Sequence, residues 1–320
     1  MSTLKPLIVI LGPTASGKSE LALKLAKLCK GGIINADSRQ IYKDMIIGTG
    51  SPVDTTQKPK LKVQGCKSKS KTKMKGCRVI HGINHYLFHF IRPSEPFSVA
   101  EYKKLAINTI RDMQNRGILP ILVGGTGLYI SAIVDNLEIP EAPPNLRLRK
   151  QLEKKSAKKL FGMLKKIDPK SASLIGPNNK RKMIRSLEVY QLTGKPFSSQ
   201  QVKGEPLFNV LEIGIKSDRS KLYKKIDQRV DEMIENGLIN ETKYLVRKYK
   251  SDLPAMTGIG YEEISQYLRD DLGLEEASQL IKYRTHHYAR RQETWFKRDK
   301  KIKWVKNCKD AERLAKSFLK

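Results

Sequence analysis

The sequence is poor in cysteine. Only Cys29, Cys66, Cys77 and Cys308 occur among 320 residues, and no two form a C-x-x-C pair. That excludes a disulfide scaffold and predicts unpaired thiols in a reducing compartment. Cys66, Cys77, His81 and His85 are spaced too widely for the usual zinc knuckles and fingers. No apolar run is long enough to span a membrane, and the first strand pattern begins near Leu7, which leaves little room for a targeting segment. The cytoplasm is therefore the expected compartment, with a mitochondrial pool left open. No internal repeat is present. Acidic residues are also few, 32 Asp and Glu against 62 Lys and Arg, for a formal charge of +30. Such an excess favours a polyanionic partner through counterion release, although a lysine-rich proteome would produce the same bias.

What is present begins with a glycine-rich loop. Gly12-Pro13-Thr14-Ala15-Ser16-Gly17-Lys18-Ser19 follows the apolar run 7–11 and opens an amphipathic run carrying Leu21, Leu25 and Leu28. This is the strand, loop and helix context in which G-x-x-x-x-G-K-[ST] cradles a phosphate. Gly12, Ala15, Ser16 and Gly17 offer backbone N–H groups and Lys18 a point charge, while Ser19 offers a hydroxyl to Mg²⁺. The motif does not say which phosphorylated molecule is held.

Residues 33–36 predict a second buried strand that ends at Asp37-Ser38-Arg39-Gln40. Ligands of open α/β sheets sit beyond the carboxyl ends of the strands, so Asp37 is expected beside the loop. It reads equally as a base, a helix N-cap or an outer magnesium ligand. Residues 55–94 hold no acidic side chain, and lysine alternates with small polar residues from Lys58 to Arg78. This composition predicts a flexible surface insertion over about 54–80.

An alternating pattern over 85–91 predicts an edge strand, and Ser98-Val99-Ala100-Glu101 a capping box before a helix. A buried strand over 118–123 leads into Gly124-Gly125-Thr126-Gly127, a second glycine turn whose Thr126 is a candidate hydroxyl for phosphate or Mg²⁺. Prolines at 140, 143 and 144 mark a boundary. Beyond them, 145–200 reads as short helices with one strongly basic surface. A strand near 209–215 delivers Arg219, whose guanidinium is a candidate grip on phosphate oxygens. The run 277–298 interleaves Tyr283, Tyr288, Trp295 and Phe296 with arginines, a composition that suits stacking on single-stranded nucleotides and packing in a core equally well.

The architecture expected is α/β: a P-loop-type parallel sheet with flanking helices, plus an all-helical insertion domain. Residues 1–138 form the first part of the core, 139–200 the insertion, and 201–320 the second part with basic C-terminal helices.

With these residues in hand the chain resembles the tRNA dimethylallyltransferase, or IPP transferase, family. The matching signatures are the loop 12–19, Asp-Ser-Arg-Gln-Ile-Tyr at 37–42, Pro-Ser-Glu-Pro-Phe-Ser-Val-Ala-Glu-Tyr at 93–102, Val-Gly-Gly-Thr-Gly-Leu-Tyr at 123–129, Arg-Ser-Leu-Glu-Val-Tyr at 185–190 and Arg-Arg-Gln-Glu-Thr-Trp-Phe at 290–296. They occur in family order over nearly the whole chain. The resemblance implies transfer of a dimethylallyl group from dimethylallyl diphosphate to the exocyclic amine of the adenine 3′ of the anticodon. It also implies that the loop holds the diphosphate of the prenyl donor. Carried over by position, Asp37 would be the general base; Thr14, Lys18, Ser19, Thr126 and Arg219 would hold diphosphate and Mg²⁺. Ser38 and Gln40 would help place the adenine, and Arg185, Arg290, Arg291 and Gln292 fall in segments expected to contact the tRNA anticodon stem-loop. A monomer is the simpler expectation.

Two departures stand out. His89 occupies the place of a usual acid, and the preceding loop is longer and richer in lysine than the family's. No C-terminal zinc finger is expected. Competing readings are an adenylate isopentenyltransferase acting on free nucleotides, a P-loop small-molecule kinase, and a non-catalytic RNA-binding module on the same fold.

Overall fold

A computed structural model describes residues 4–52, 75–140, 142–200, 202–250 and 252–320. The part of the predicted Lys-rich insertion from 53 to 74 lies outside the described residues. The chain divides into two compact units, Met1–Ile133 with Leu207–Lys320, and Val134–Pro206.

The first unit begins with β1 (Pro6–Leu11), α1 (Lys18–Leu28), β2 (Gly31–Asn35), β3 (Arg78–Ile80), β4 (Ile83–Tyr86), α2 (Val99–Asn115), β5 (Leu119–Gly124) and α3 (Gly127–Val134). The second unit follows as α4 (Leu146–Glu153), α5 (Ala157–Ile167), α6 (Pro169–Ile175), α7 (Lys180–Thr193) and α8 (Phe197–Gln200). The chain then returns to the first unit with β6 (Asn209–Ile215), α9 (Arg219–Glu235), α10 (Leu238–Lys248), α11 (Tyr261–Tyr267), α12 (Leu274–Phe296), β7 (Lys303–Val305) and α13 (Cys308–Phe318).

The strands form one sheet in the order β3-β4-β2-β5-β1-β6-β7. Every neighbouring pair is parallel except β3 with β4. The α/β architecture expected from the sequence is the one observed. Parallel strands are covered on both faces, which is why β1 and β5 read as unbroken apolar runs. Ile8, Ile10, Ile121 and Ile213 pack with Leu21, Leu25, Ala311 and Ala315, so α1 and α13 cover one face. Leu7, Val9, Leu11 and Leu122 alternate with these and are fully buried on the opposite face. The capping box of α2 is present, with Ser98 Oγ accepting the Glu101 N–H at 3.2 Å and Glu101 Oε2 accepting the Ser98 N–H at 2.8 Å.

Two local expectations are corrected. The strand expected over 85–91 stops at Tyr86, because Leu87 and His89 adopt left-handed φ values of 62° and 47° that end the extended run. It is not an edge strand either, since β3 and β2 flank it. The second concerns the thiols: Cys77 is disulfide-bonded, while Cys29 and Cys308 are free as expected.

The helical unit is built on Leu152, Leu160, Leu164, Met183, Ile184 and Leu187. Its one fully buried carboxylate among the described residues, Glu188, is satisfied by Arg149 Nε at 2.8 Å, Arg185 Nη1 at 2.7 Å and the Asn145 N–H at 2.7 Å. Burial pushes its pKa up, but the hydrogen bonds from the two arginines outweigh that and hold it below the usual value. Glu188→Ala would leave two guanidinium groups and a backbone N–H without their acceptor. The expected loss is about 2–4 kcal/mol, checked by amide hydrogen exchange across α4 and α7.

Candidate active site

Beyond the carboxyl ends of β1, β2 and β5 the chain leaves three turns: 12–17 after β1, 36–38 after β2 and 125–126 after β5. The strands end together because β5 lies between β1 and β2, pairing with both. Ala36 N–H donates to Val123 O at 2.7 Å and Thr126 N–H to Ala36 O at 3.2 Å. Gly124 is required for that approach, since a Cβ there would lie 2.1 Å from the Ala36 carbonyl oxygen.

A cavity of about 470 Å³ opens at these turns. The phosphate-loop residues Thr14, Ala15, Ser16, Gly17, Lys18 and Ser19 line it, and Asp37 and Gln40 face them. Ala15 takes a left-handed φ of 59° at the bend of the loop. Ser16 Oγ is buried with no protein hydrogen-bond partner, and Lys18 Nζ donates to Pro13 O. Burial lowers the Lys18 pKa to about 8, against the pull of Asp37, which raises it. Its charge is therefore carried at a cost that an anionic ligand would relieve.

Asp37 is set by buried Asn35. The Asn35 amide donates to Asp37 O at 3.1 Å and Leu87 O at 3.0 Å, and its oxygen accepts the Asp37 N–H at 2.9 Å. Asp37 Oδ1 in turn accepts the Arg39 N–H at 2.8 Å, an Asx turn. The second carboxylate oxygen is the atom left for chemistry. Tyr102, stacked on Tyr129 at 3.8 Å, donates its hydroxyl to Asn35 O at 2.8 Å and supports the turn from below.

The structure distributes the sequence candidates unevenly. Thr126 Oγ1 accepts the Ser38 N–H at 3.0 Å, contacts Ser38 Oγ at 3.3 Å and bonds the Tyr288 hydroxyl. Thr126 and Ser38 thus tie β5 to the Asp37 turn and are not on the cavity wall. Gln40 is on the wall, its amide donating to Thr49 O and Gly50 O at 3.2 and 3.3 Å.

Arg219 requires correction. It is the first residue of α9, exposed and away from the cavity wall. Ten positions further, about 15 Å along a helix, Arg229 faces the cavity with Lys225, Gln228 and Glu232. That i, i+3, i+4, i+7 polar stripe was legible beside the apolar stripe Leu222, Ile226, Val230.

Gln292 is corrected as well. It is nearly buried, its oxygen accepting the Thr14 N–H at 2.8 Å and its nitrogen donating to Gly125 O at 2.9 Å, so it joins the two glycine turns. Arg290 and Arg291 remain exposed on α12. Arg290 contacts the His287 ring at 2.8 Å, and Arg291 lies 5.7 Å over the Tyr288 ring and shares a surface depression with Ile259, Tyr283 and Arg284. Arg185 belongs to the helical unit, where Glu188 and Ala142 O at 2.9 Å engage its guanidinium.

Among the described residues no group of three or more His, Cys, Asp or Glu could hold a metal ion, and no helix is long and apolar enough to cross a membrane. Ser16, Ser19 and Asp37 line one cavity, and their oxygen atoms are a donor set that suits a hard cation.

Comparison with known proteins gives consistent matches. The family model for IPP transferase matches residues 40–299, and one for isopentenyl transferase matches residues 5–63. The tRNA dimethylallyltransferase of Acetivibrio thermocellus is 43% identical over 306 residues, covering 93% of this chain and 90% of the relative. That of Halothermothrix orenii is 44% identical over 307 residues, covering 93% and 86%. Among solved structures, the tRNA isopentenylpyrophosphate transferase of Bacillus halodurans superposes with a TM-score of 0.69 at 34% identity, over 98% of this chain and 97% of that one. A eukaryotic dimethylallyltransferase acting on tRNA superposes with a TM-score of 0.71 at 29% identity, over 91% and 69%.

A buried histidine, His85, and a partly buried one, His89, make the unit sensitive to acid. His85 Nδ1–H donates to Ile83 O at 2.9 Å, and His89 Nδ1–H donates to Tyr42 O at 2.8 Å while its Nε2 accepts from Ser51 Oγ at 2.7 Å. Burial lowers both from 6.5 to about 4. The unfolded chain then binds more protons between these values, so stability is lost as pH falls from 6.5 to about 4 and changes no further below. Each contributes on the order of 3 kcal/mol. Urea unfolding from pH 7 to 4 should show the loss, and His89→Gln should flatten it.

Proposed function

The chain belongs to the IPP transferase family, and on that premise we propose that it isopentenylates tRNA, moving the dimethylallyl group of dimethylallyl diphosphate onto the exocyclic amine of the adenine 3′-adjacent to the anticodon. The observation that carries this reading is the single cavity shared by an anion cradle and a carboxylate, with Lys18 and Arg229 both in the field of Asp37.

In this reading the backbone N–H groups of 15–19, Lys18 and Arg229 hold the diphosphate. Ser19 and Asp37 would hold a Mg²⁺ ion bound with it, and the ion would neutralise diphosphate charge. The apolar side chains of Ala22, Ile33, Phe88 and Val123 on the cavity wall suit the five-carbon tail. The amine nitrogen attacks the allylic carbon, the carbon–oxygen bond to pyrophosphate breaks, and Asp37 takes the amine proton. An adenine amine is a weak nucleophile, so orientation, proton removal and stabilisation of the leaving group carry the rate. The adenine must leave its stack to reach the cavity. Arg290, Arg291 and Trp295 on the exposed side of α12, together with the basic helical unit, serve as backbone and stacking contacts to the anticodon arm. The site is assembled within one unit of one chain, which supports a monomer; the cytoplasm is its proposed compartment. Transfer to free adenine nucleotide and NTP-dependent kinase activity are not favoured by the tRNA-modifying relatives.

Incubation with Mg²⁺, dimethylallyl diphosphate and an unmodified anticodon stem-loop should give one dimethylallyl adduct by mass, with AMP a poor acceptor and no ATP consumed. Asp37→Ala should lower kcat by about 10²- to 10⁴-fold. Prenylated AMP beside unmodified RNA would overturn the assignment of acceptor. The lowered pKa of Lys18 adds a pH signature. Donor Kd should stay flat below about 8 and rise as pH climbs through it, because free Lys18 then loses its proton; titration of donor binding against pH measures this.

A further inference from the structure

Glu241 lies on α10, is not on the cavity wall, and has no part in the reaction as described. Its carboxylate is nevertheless fully engaged. Oε2 accepts the N–H groups of Ile46 and Ile47 at 3.0 and 2.9 Å, and Oε1 accepts the Gly48 N–H at 3.1 Å and the Tyr261 hydroxyl at 2.6 Å. Three successive amides converging on one carboxylate fix the backbone of the turn that follows β2 and Asp37 in the chain. The turn is closed internally by Gly50 N–H to Ile47 O at 2.8 Å and Ser51 N–H to Ile46 O at 3.1 Å.

The far side of this turn forms the cavity wall at Thr49, Gly50 and Pro52. There Gly50 O accepts Arg229 Nη2 at 2.7 Å, and the same carbonyl with that of Thr49 accepts the Gln40 amide. Gly50 has a φ of 55°, and a Cβ on it would lie 1.6 Å from Arg229 Nη2. The guanidinium therefore rests directly against the turn. Burial lowers the pKa of Arg229, and the negative charges of Asp37 and Glu232 act on it through space. Its aim is set by the Gly50 carbonyl, and the position of that carbonyl is set from the opposite side of the turn by Glu241.

We propose that Glu241 is a positioning residue for the donor diphosphate, acting through the 46–50 turn to hold Arg229 toward the cavity. This rests on the reading of the cavity as the diphosphate site. A carboxylate whose two oxygens span three backbone donors and a tyrosine hydroxyl is a rigid support, and displacement of a charged group by about 1 Å suffices for losses near 10²-fold. Tyr261 contributes by holding Oε1, with its ring against Gly48.

The test uses the full chain, inorganic pyrophosphate, dimethylallyl diphosphate and an anticodon stem-loop. Glu241→Ala should lower kcat/KM for the prenyl donor by about 10- to 100-fold and weaken pyrophosphate binding, leaving the KM for RNA unchanged. In an Arg229→Ala background the same substitution should add little, because both act on one contact. Glu241→Gln, which keeps one accepting oxygen, should recover part of the loss. Should Glu241→Ala fail to fold, Gly50→Ala serves instead. It leaves Glu241 intact and places a Cβ against the guanidinium, and it should reproduce the donor-specific loss. Equal effects on both substrates, or full additivity with Arg229→Ala, would overturn the proposal. Absence of pyrophosphate binding and prenyl transfer in the unsubstituted protein would instead refute the cavity's assignment.

Discussion

Parallel strands that end side by side leave backbone N–H and C=O groups crowded into a small volume, and a buried polar group without a partner is costly. Here those groups must be satisfied while the space between them stays open. The solution is a set of side chains that bond to backbone and stay out of the cavity's centre. Asn35 closes the turn at Asp37, Thr126 holds Ser38, Gln292 spans Thr14 and Gly125, and Glu241 gathers the amides of 46–48. Each is neutral or already paired, so none competes for an incoming anion. The groups left for a ligand are the loop N–H groups, Ser16 Oγ, Lys18, Arg229 and one oxygen of Asp37.

The electrostatics follow from that division. Lys18, Lys225 and Arg229 share the partly buried cavity with Glu20, Asp37 and Glu232, and burial lowers the pKa of both Lys18 and Arg229. Lys18 and Arg229, both partly desolvated, are the groups that an incoming anion would relieve, so in the proposed reaction their charge complementarity would be realised on binding. The two histidines nearby behave oppositely. His85 is buried and His89 partly buried, each a neutral ring whose nitrogens are used for hydrogen bonds to Ile83 O, Tyr42 O and Ser51 Oγ. His89 thus takes a structural post at the place where the family resemblance suggested an acid. A neutral ring there adds no negative charge that would oppose an anionic ligand.

What the sequence made legible was local. Gly12 to Ser19 could be recognised because strand, loop and helix are contiguous, and Asp37 because it follows a buried run. The capping box at Ser98 is likewise a four-residue affair. The errors came where a side chain's partner lies far along the chain. Gln292 reaches Thr14 across 278 positions and Gly125 across 167, and no pattern around 290–296 announces that its amide faces inward while its neighbours face out. Arg219 follows a strand end, whereas the arginine on the cavity wall, Arg229, lies about three turns into the same helix of 17 residues. Arg185 looked free for RNA because Glu188, only three residues on, also belongs to Arg149 and the Asn145 N–H, a network that exists only once α4 meets α7.

Helix α12 has the consequence that the proposed donor and RNA contacts are parts of one rigid body. Its buried side carries Gln292 into both glycine turns, and Trp295 sits against Gly127, where a Cβ would lie 2.2 Å from the indole nitrogen. The outer side, one or two residues away, carries Arg290 and Arg291 into solvent. A helix transmits a tilt along its whole length, so a shift at the exposed arginines is also a shift at Thr14 N–H and Gly125 O. In the proposed reaction, anchoring the loop to this helix would keep the nucleophile's carrier and the leaving group's cradle in register, which a transfer between two separately bound substrates requires.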